Sequence, residues 1–76
     1  MNVEWDPFAE EDWRRLDLDD ARLVGHAVEI WADTFAGTVE ATESEGVFRL
    51  YVGRFVVRFL IDTSTDTMHV IQVRRA

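Results

Sequence analysis

The stretch VFRLYVGRFVVRFLID, residues 47–62, places an apolar side chain at every second position and breaks once, at Gly53-Arg54. A period of two indicates strands with one buried face, and a two-residue break that begins with glycine favours a tight hairpin turn. That turn fixes the register, because Val52 then faces Phe55 and every pair behind it follows. The stretch therefore predicts a hairpin with one wholly apolar face.

The other face of this hairpin carries opposed positive charges. In the predicted register Arg49 lies directly opposite Arg58, with Tyr51 on the same face. Like charges in that position destabilise a sheet. Three explanations for the pair remain open: acids from residues 38–46 or from a partner neutralise the arginines, the arginines bind phosphate or a nucleic-acid backbone, or they have no role.

A third strand is predicted over Met68–Arg74, after a turn at residues 62–66. The expected partners on the core face are Phe59 with Ile71 and Val57 with Val73. This register leaves Gln72 and Arg74 on the arginine face. The alternative, with Phe59 opposite Val70, would bury Gln72 and is rejected.

Two helices precede the hairpin. Asp6-Pro7 is a typical helix start, and the apolar residues that follow are Ala9, Trp13 and Leu16. A second helix is predicted from Ala21 to about Phe35, capped by Asp19 or Asp20 and ended by Gly37. The whole is an α+β fold, a helical hairpin packed on a three- to four-stranded antiparallel sheet. Asn2–Trp5 is long enough for a short leading strand, and Thr38–Gly46 is predicted to be an exposed connection.

Length and composition describe one small domain, residues 1–76, with a thin core. The chain has no cysteine and no apolar run long enough to span a bilayer, and its start lacks the pattern of a signal peptide. We therefore expect a soluble cytoplasmic protein with no membrane association, and the thin core makes a homodimer or a bound partner plausible. The net charge is −7. Thirteen acids and three arginines give −10 in residues 1–46, and five arginines and two acids give +3 in residues 47–76.

Other candidate sites have ordinary structural explanations. His26 is placed on the second helix and His69 at the edge of the core face, and both are interpreted as structural residues. The acids of residues 17–20 fit a helix-capping turn better than an ion site. The chain has no glycine-rich phosphate loop, nucleophile elbow or dinucleotide fingerprint. No cofactor and no metal are expected.

Three segments resemble the RelE/ParE superfamily of toxins from bacterial type II toxin–antitoxin modules. VEWDPFAEEDWRRL, residues 3–16, resembles the opening strand and first helix of the family. GVFRLYVGRFVVRFLID, residues 46–62, is similar to its "Y-R-L-R-V-G-x-Y-R-V" stretch, and MHVIQVRRA, residues 68–76, to its last strand and closing arginine. The resemblance spans nearly the whole chain.

The resemblance implies an antitoxin partner that covers the active face. It also implies either cleavage of messenger RNA on the ribosome or inhibition of DNA gyrase. By position, Arg49 matches the arginine before the family's Val-Gly pair, and Arg74 or Arg75 its C-terminal arginine. Val56 stands where the family often has an arginine for phosphate, and the chain is acidic where family toxins are basic.

The leading hypothesis is a RelE/ParE-like toxin-family protein that inhibits growth by binding ribosome-associated messenger RNA. If the protein is catalytic, it also cleaves that RNA. RNA cleavage needs cations at the developing phosphorane charge and a group that moves the 2′-hydroxyl proton. The predicted catalytic residues are Arg49, Arg58, Arg74 and Tyr51, with Arg75, Gln72 and Arg54 as substrate-binding residues. Tyr51 is the nearest candidate for proton transfer.

Two alternatives stay open at this point. One is a non-catalytic homodimeric or partner-binding module on the same fold, favoured by the acidic composition and by Val56. The other is a small-molecule enzyme or carrier that uses the cationic sheet face for an anionic ligand.

Overall fold

Seven elements form a two-layer α+β fold in the computed structural model, which describes all residues 1–76. The elements are β1 Asn2–Trp5, α1 Pro7–Arg14, α2 Leu18–Thr34, β2 Thr38–Ala41, β3 Val47–Val52, β4 Phe55–Asp62 and β5 Thr67–Arg75. The strands form one sheet in the order β1-β5-β4-β3-β2. The predicted α+β class is confirmed. Neither helix is long and apolar enough to cross a membrane.

The helical hairpin begins where the sequence predicts. The Asp6 carboxylate accepts a hydrogen bond from the backbone N–H of Phe8 at 2.9 Å, with proline at the first helical position. α2 starts at Leu18, three residues earlier than predicted, so Asp19 and Asp20 lie inside its first turn rather than capping it. Carboxylates there interact favourably with the positive end of the helix dipole.

The end of α2 differs from the prediction as well. The helix ends at Thr34 because Phe35 adopts a left-handed conformation, with φ 58°. This conformation strains a residue with a side chain, but the Phe35 ring packs edge-on against Trp31, with centroids 5.2 Å apart. Gly37 follows at φ 141°, where an added Cβ would lie 3.0 Å from Leu50 Cδ1. Glycine is therefore needed for the approach to β2, not for the helix stop.

The first β-hairpin has the predicted register. Arg49 pairs with Arg58, and each following pair of residues up to Val52 and Phe55 is as predicted. Gly53 has φ 56°, as a tight turn with glycine first requires. Local alternation and turn chemistry therefore set this part of the sheet.

The second hairpin contains a β-bulge that the sequence reading missed. Val57 pairs with Val73 as expected, but Phe59 pairs with Val70, and the predicted pairing of Phe59 with Ile71 is wrong. The bulge adds one residue to β5, so Val73 and Val70 both reach the core while Gln72 stays beside Arg58. The two registers weighed from the sequence each hold for one half of the strand.

The sheet has five strands, not three or four, and it is not purely antiparallel. Asn2–Trp5 is a strand as predicted and pairs in parallel with β5. Thr38–Ala41, predicted to be a connection, is the edge strand β2 and pairs antiparallel with β3. Its side chains are largely exposed, which the sequence did indicate. β2 belongs to the sheet through backbone hydrogen bonds, and a pattern of apolar residues does not predict such bonds.

The core lies between the helices and one face of the sheet. Phe59 is fully buried, and its ring centroid lies 4.7 Å from that of Trp31 on α2 and 5.6 Å from that of Phe48. Leu50 and Val57 belong to the same buried cluster. Because side chains alternate along a strand, Arg49 and Arg58 point away from the helices. We call this second surface of the sheet the outer face.

Candidate functional site

A row of polar side chains crosses the centre of the outer face. Glu40, Arg49, Arg58 and Gln72 are successive register partners on β2, β3, β4 and β5. Neighbouring strands lie about 4.8 Å apart, so each side chain in the row is next to the following one. The structure thus brings together three residues predicted for the site and adds Glu40.

Arg49 is neutralised by acids from the segment before β3. Its guanidinium donates to Glu40 Oε1 at 3.2 Å and lies 3.8 Å from Glu43 Oε2. The hydroxyl of Tyr51 donates to the same Glu40 oxygen at 3.1 Å. For Arg49, these contacts agree with the explanation that acids of residues 38–46 neutralise the arginine pair.

No acidic side chain neutralises the charge of Arg58. It makes no ion pair, and its Nε is buried without a hydrogen-bond partner. A buried donor without an acceptor costs about 1–3 kcal/mol. Arg58 is therefore a positive charge on the central strand that the chain itself leaves unpaired.

Arg74 and Gln72 complete the predicted group on this face. Arg74 is exposed, pairs in register with Val56 and makes no ion pair. Gln72 is half-buried beside Arg58 and offers both a donor and an acceptor. Val56, at the position where the resembled family often has arginine, is almost fully buried outside the main core cluster.

The structure separates Arg54 and Arg75 from this group. Arg54 donates to Asp20 on α2 at 2.7 Å, and its guanidinium lies 5.5 Å from the ring centroid of Phe55. Arg75 lies 5.9 Å from the same ring. Phe55 belongs to the core, so both arginines cover the end of the core rather than the outer face. They are not placed to act with Arg58 on one ligand.

His69 lies on the outer face, not at the edge of the core face as predicted. The bulge in β5 pairs it with Leu60, and its Nδ1 lies 3.4 Å from Glu4 Oε2 on β1. The two residues line a groove of about 410 Å³ at the junction of β1, β5 and the start of α1. The other lining residues of this β1–β5 groove are Trp5, Asp6, Pro7, Leu60 and Ile71.

Glu40 is the site residue that the sequence analysis missed. The segment Thr38–Ala41 has a single half-buried apolar residue, Val39, so it lacks the alternation that identifies a strand. Without β2 as a strand, nothing in the sequence places Glu40 beside Arg49. An added carboxylate changes the chemistry of the face, because it is a proton acceptor in hydrogen-bond contact with both a cation and a tyrosine hydroxyl.

Two further features lie away from the arginine row. A larger groove, of about 690 Å³, lies on the helical side beside Trp13 and Arg22. At the tip of the second hairpin, hydrogen bonds from the hydroxyl of Ser64 at 2.6 Å and from its backbone N–H at 3.0 Å lower the pKa of Asp62. No group of three or more histidine, aspartate or glutamate side chains is arranged to hold a metal ion.

Comparison with known proteins gives a consistent result for the fold. A chain of the intact RelBE toxin–antitoxin complex of E. coli superposes with a TM-score of 0.83 at 11% identity, covering 99% of this chain and 95% of that one. The isolated E. coli RelE toxin gives 0.77 at 15% identity, with coverages of 99% and 83%. The chain has a RelE-type toxin fold.

A third structure widens the range of toxins that share this fold. The YoeB/ParE toxin of Agrobacterium tumefaciens superposes with a TM-score of 0.80 at 20% identity, over 100% of this chain and 99% of that one. No protein-family model and no curated protein sequence matches the chain. The RelE-type fold is thus shared over the full length while few residue identities are kept.

Proposed function

We propose that this protein is the toxin of a bacterial toxin–antitoxin module and inhibits growth by binding ribosome-associated messenger RNA on its outer face. The observation that carries the proposal is Arg58, a half-buried arginine on the central strand whose guanidinium makes no ion pair within the chain. Its Nε is buried, but its terminal nitrogens can donate to an RNA phosphate, which matches the geometry of a guanidinium. The RelE-type fold supports the same conclusion.

Arg74 extends the cationic surface on one side of Arg58, and Arg49 lies on the other side, where an RNA phosphate would compete with Glu40 and Glu43 for its guanidinium. Arg49 neighbours Arg58 across the β3–β4 pair, and Arg74 lies two residues beyond Gln72 on β5. A single strand of RNA that runs over the outer face meets all three guanidinium groups. Affinity for RNA increases with the number of phosphates neutralised, so the three together bind more strongly than Arg58 alone.

Cleavage of the bound RNA needs a proton acceptor, and Glu40 is placed to provide one. Its carboxylate is in contact with Arg49 and Tyr51, and 59% of its side chain is exposed to solvent. In the proposed reaction the 2′-hydroxyl gives its proton to Glu40 while its oxygen attacks phosphorus. The P–O5′ bond then breaks, and the departing 5′-oxygen takes a proton from water, which leaves a 2′,3′-cyclic phosphate and a 5′-hydroxyl. Arg49 and Arg58 stabilise the negative charge that develops on the phosphoryl oxygens. Tyr51, the predicted proton-transfer residue, then orients Glu40.

The partner in this proposal is a cognate antitoxin protein. Two of the structures that share the fold are RelB–RelE complexes, from E. coli and from Pyrococcus horikoshii. An antitoxin that places an acidic side chain against the terminal nitrogens of Arg58 would both neutralise the guanidinium and block RNA. Co-expression of such a partner is therefore expected to restore growth.

Expression in a bacterium under an inducible promoter tests the proposal. The wild type should arrest growth, and Arg58→Ala should not, because it removes the unpaired cation. Arg14→Ala is the matched control: it removes an exposed arginine of α1 that pairs with Glu10 at 2.7 Å, and it should arrest growth like the wild type. Folded, soluble wild-type protein that leaves growth unchanged would refute the toxin function.

A partner-binding module without RNA activity is the second candidate. The ion pairs of Arg49 with Glu40 and Glu43 favour it, because they reduce the positive charge available to RNA. Filter binding with a short single-stranded RNA distinguishes the two functions. The toxin is expected to bind with an affinity that falls with added salt and with Arg58→Ala, whereas the module is indifferent to RNA and to both changes.

A further inference from the structure

We propose that the groove of about 690 Å³ on the helical side binds an organic cation, a guanidinium group carried on a short aliphatic chain. We call it the indole groove, because Trp5 of β1 and Trp13 of α1 both line it. Its volume is within the range of small-molecule sites in proteins. The indole groove shares no residue with the arginine row of the outer face, so the proposal does not depend on RNA binding.

A glycine in the interior of α2 makes room for the ring of Trp13. Gly25 lies well inside the helix, where glycine is unfavourable relative to alanine. A Cβ added at Gly25 would lie 3.2 Å from Trp13 Cζ2, closer than ordinary van der Waals contact. The indole Nε1 donates to the backbone carbonyl of Ala21, one turn earlier in α2, at 2.7 Å. The ring is therefore fixed against α2 before any ligand binds, which lowers the entropic cost of binding.

Trp5 places a second indole beside that of Trp13. The two ring centroids lie 5.2 Å apart, and the ring planes are tilted by 34°. Both residues are half-buried, so each keeps some surface open to solvent. The only hydrogen-bond donor of the Trp13 ring is already used by Ala21, so the ring offers a ligand its π surface. The face of an indole is electron-rich and attracts cations.

The chain places none of its own cations over these two rings. The arginines that lie over an aromatic ring are Arg54 and Arg75, and both lie over Phe55. Arg22 lines the indole groove, but its guanidinium lies over neither indole. The aromatic surface is therefore free to receive a cation from outside the chain.

Two carboxylates give the indole groove a preference for positive charge. Glu29 follows Gly25 by one helical turn, so it is next to the position where Trp13 packs on α2. Asp19 also lines the groove, and neither carboxylate makes an ion pair within the chain. Every lining residue belongs to residues 1–46, which hold thirteen acids and three arginines. This part of the protein repels anions and attracts cations.

A guanidinium group matches an indole and a carboxylate at the same time. Its planar face stacks on an aromatic ring, while the N–H groups in its plane donate to a carboxylate such as Glu29. An ammonium group is more strongly hydrated and has no planar face to stack. The aliphatic chain of the ligand has Leu23 and Ala21 as apolar neighbours in the groove. Arg22 opposes a cation, so its removal tests the sign of the ligand charge.

An NMR titration of the full-length, ¹⁵N-labelled protein tests the proposal with n-butylguanidinium, neutral n-butylurea and anionic butyrate. The indole N–H signals of Trp5 and Trp13 report on the groove, and that of Trp31, which is in the core and does not line the groove, is an internal control. Butylguanidinium should shift the first two signals and leave the third unchanged. It should bind about tenfold more tightly than butylurea, and butyrate should not bind. Added salt should weaken the binding of butylguanidinium alone.

Three variants separate the contributions to binding. Glu29→Gln should weaken butylguanidinium about threefold and leave butylurea unchanged, because an exposed carboxylate adds a modest charge interaction. Asp33→Asn is the matched control, since it removes an exposed carboxylate of α2 that does not line the groove, and it should change neither affinity. Arg22→Gln should strengthen butylguanidinium, because it removes a like charge.

A blocked tripeptide with a central arginine distinguishes two sources of the guanidinium group. Binding as tight as that of butylguanidinium would support the site and assign it to an arginine side chain of a protein. A tripeptide that does not bind, beside a bound butylguanidinium, would support the site and assign it to a free small molecule.

Three results would overturn the proposal. Equal affinities for butylguanidinium and butylurea would mean that the groove binds apolar chains and has no preference for charge. Tighter binding of butyrate, weakened by Arg22→Gln, would make it an anion site. Unchanged Trp5 and Trp13 signals with every probe would mean that the groove binds none of these ligands. Growth arrest and RNA binding through Arg58 are unaffected by any of these results.

Discussion

Replacing Arg58 by methionine should stabilise the protein while it destroys the proposed function. The substitution removes a buried donor that has no acceptor and a cation that faces Arg49 on the neighbouring strand. Methionine keeps an unbranched apolar chain of similar length, so the contacts of the arginine stem along the sheet are retained. Alanine would lose those contacts and would mix two effects.

The expected gain is about 1 kcal/mol in the free energy of unfolding. A buried unsatisfied donor costs about 1–3 kcal/mol, and like charges directly opposite in a sheet cost about 0.2–1 kcal/mol. The lower ends of both ranges apply, because Arg58 is only half-buried and the charge of Arg49 is already balanced by Glu40. For a domain of this size, 1 kcal/mol raises Tm by about 4–8 °C.

Urea unfolding followed by tryptophan fluorescence measures this gain, since Trp31 is 7% exposed in the core and reports its loss. The midpoint should rise with an unchanged dependence on urea concentration. Arg14→Met is the control, and it should change stability by less than about 0.5 kcal/mol, because Arg14 forms an exposed pair within α1. An Arg58→Met protein no more stable than the wild type would refute the idea that the chain carries an unbalanced cation there.

Two further predictions concern the carboxylates of Glu40 and Asp62. Glu40→Gln should free Arg49, so RNA binding should strengthen and any RNA cleavage should be lost. The slope of log affinity against log salt concentration should become steeper by about 0.7, the value for one phosphate of a single strand. The control Glu45→Gln, which removes an unpaired exposed acid of the same segment, should change neither property, and weaker RNA binding by Glu40→Gln would contradict the prediction. Ser64→Ala should raise the pKa of Asp62 back towards 3.8, as a ¹³C carboxyl titration by NMR would show. Because the folded pKa of Asp62 is depressed, its stabilising contribution is present above the unfolded pKa and is lost as pH falls through the folded pKa. The variant should therefore lose less stability on acidification. An unchanged titration would exclude the Ser64 hydroxyl as a cause of the depressed pKa, since the variant keeps the backbone N–H.

The helical segments illustrate what local sequence can and cannot specify. The start of α1 at Asp6-Pro7 is confirmed because a cap and a fixed proline φ act within one turn. The sequence predicts that α2 runs to about Phe35 and that Gly37 stops it, but Phe35 itself takes the left-handed conformation, and its contact with Trp31 offsets the strain. A side-chain contact within one helical turn therefore overrides the usual preference for glycine at the end of a helix.

The candidate site shows the same division. The facing of Arg49 and Arg58 follows from one turn and one alternating pattern, and it is confirmed. The pairing of Arg49 with Glu40 depends on β2, which the sequence does not predict as a strand. The placement of His69 beside Glu4 depends on the parallel pairing of β1 with β5 and on the bulge in β5, neither of which the sequence predicts. These contacts decide which arginine is neutralised and where a groove forms.

By itself, the sequence determined the α+β class, the first hairpin with its register, and the outward direction of Arg49 and Arg58, because side-chain alternation and turn geometry are properties of a few adjacent residues. Only the tertiary structure decided that β2 is a strand, that β1 runs parallel to β5 and that a bulge divides β5 into two registers. Those features arise from backbone hydrogen bonds between distant segments. Such bonds are largely independent of side-chain identity, so they leave little trace in the sequence.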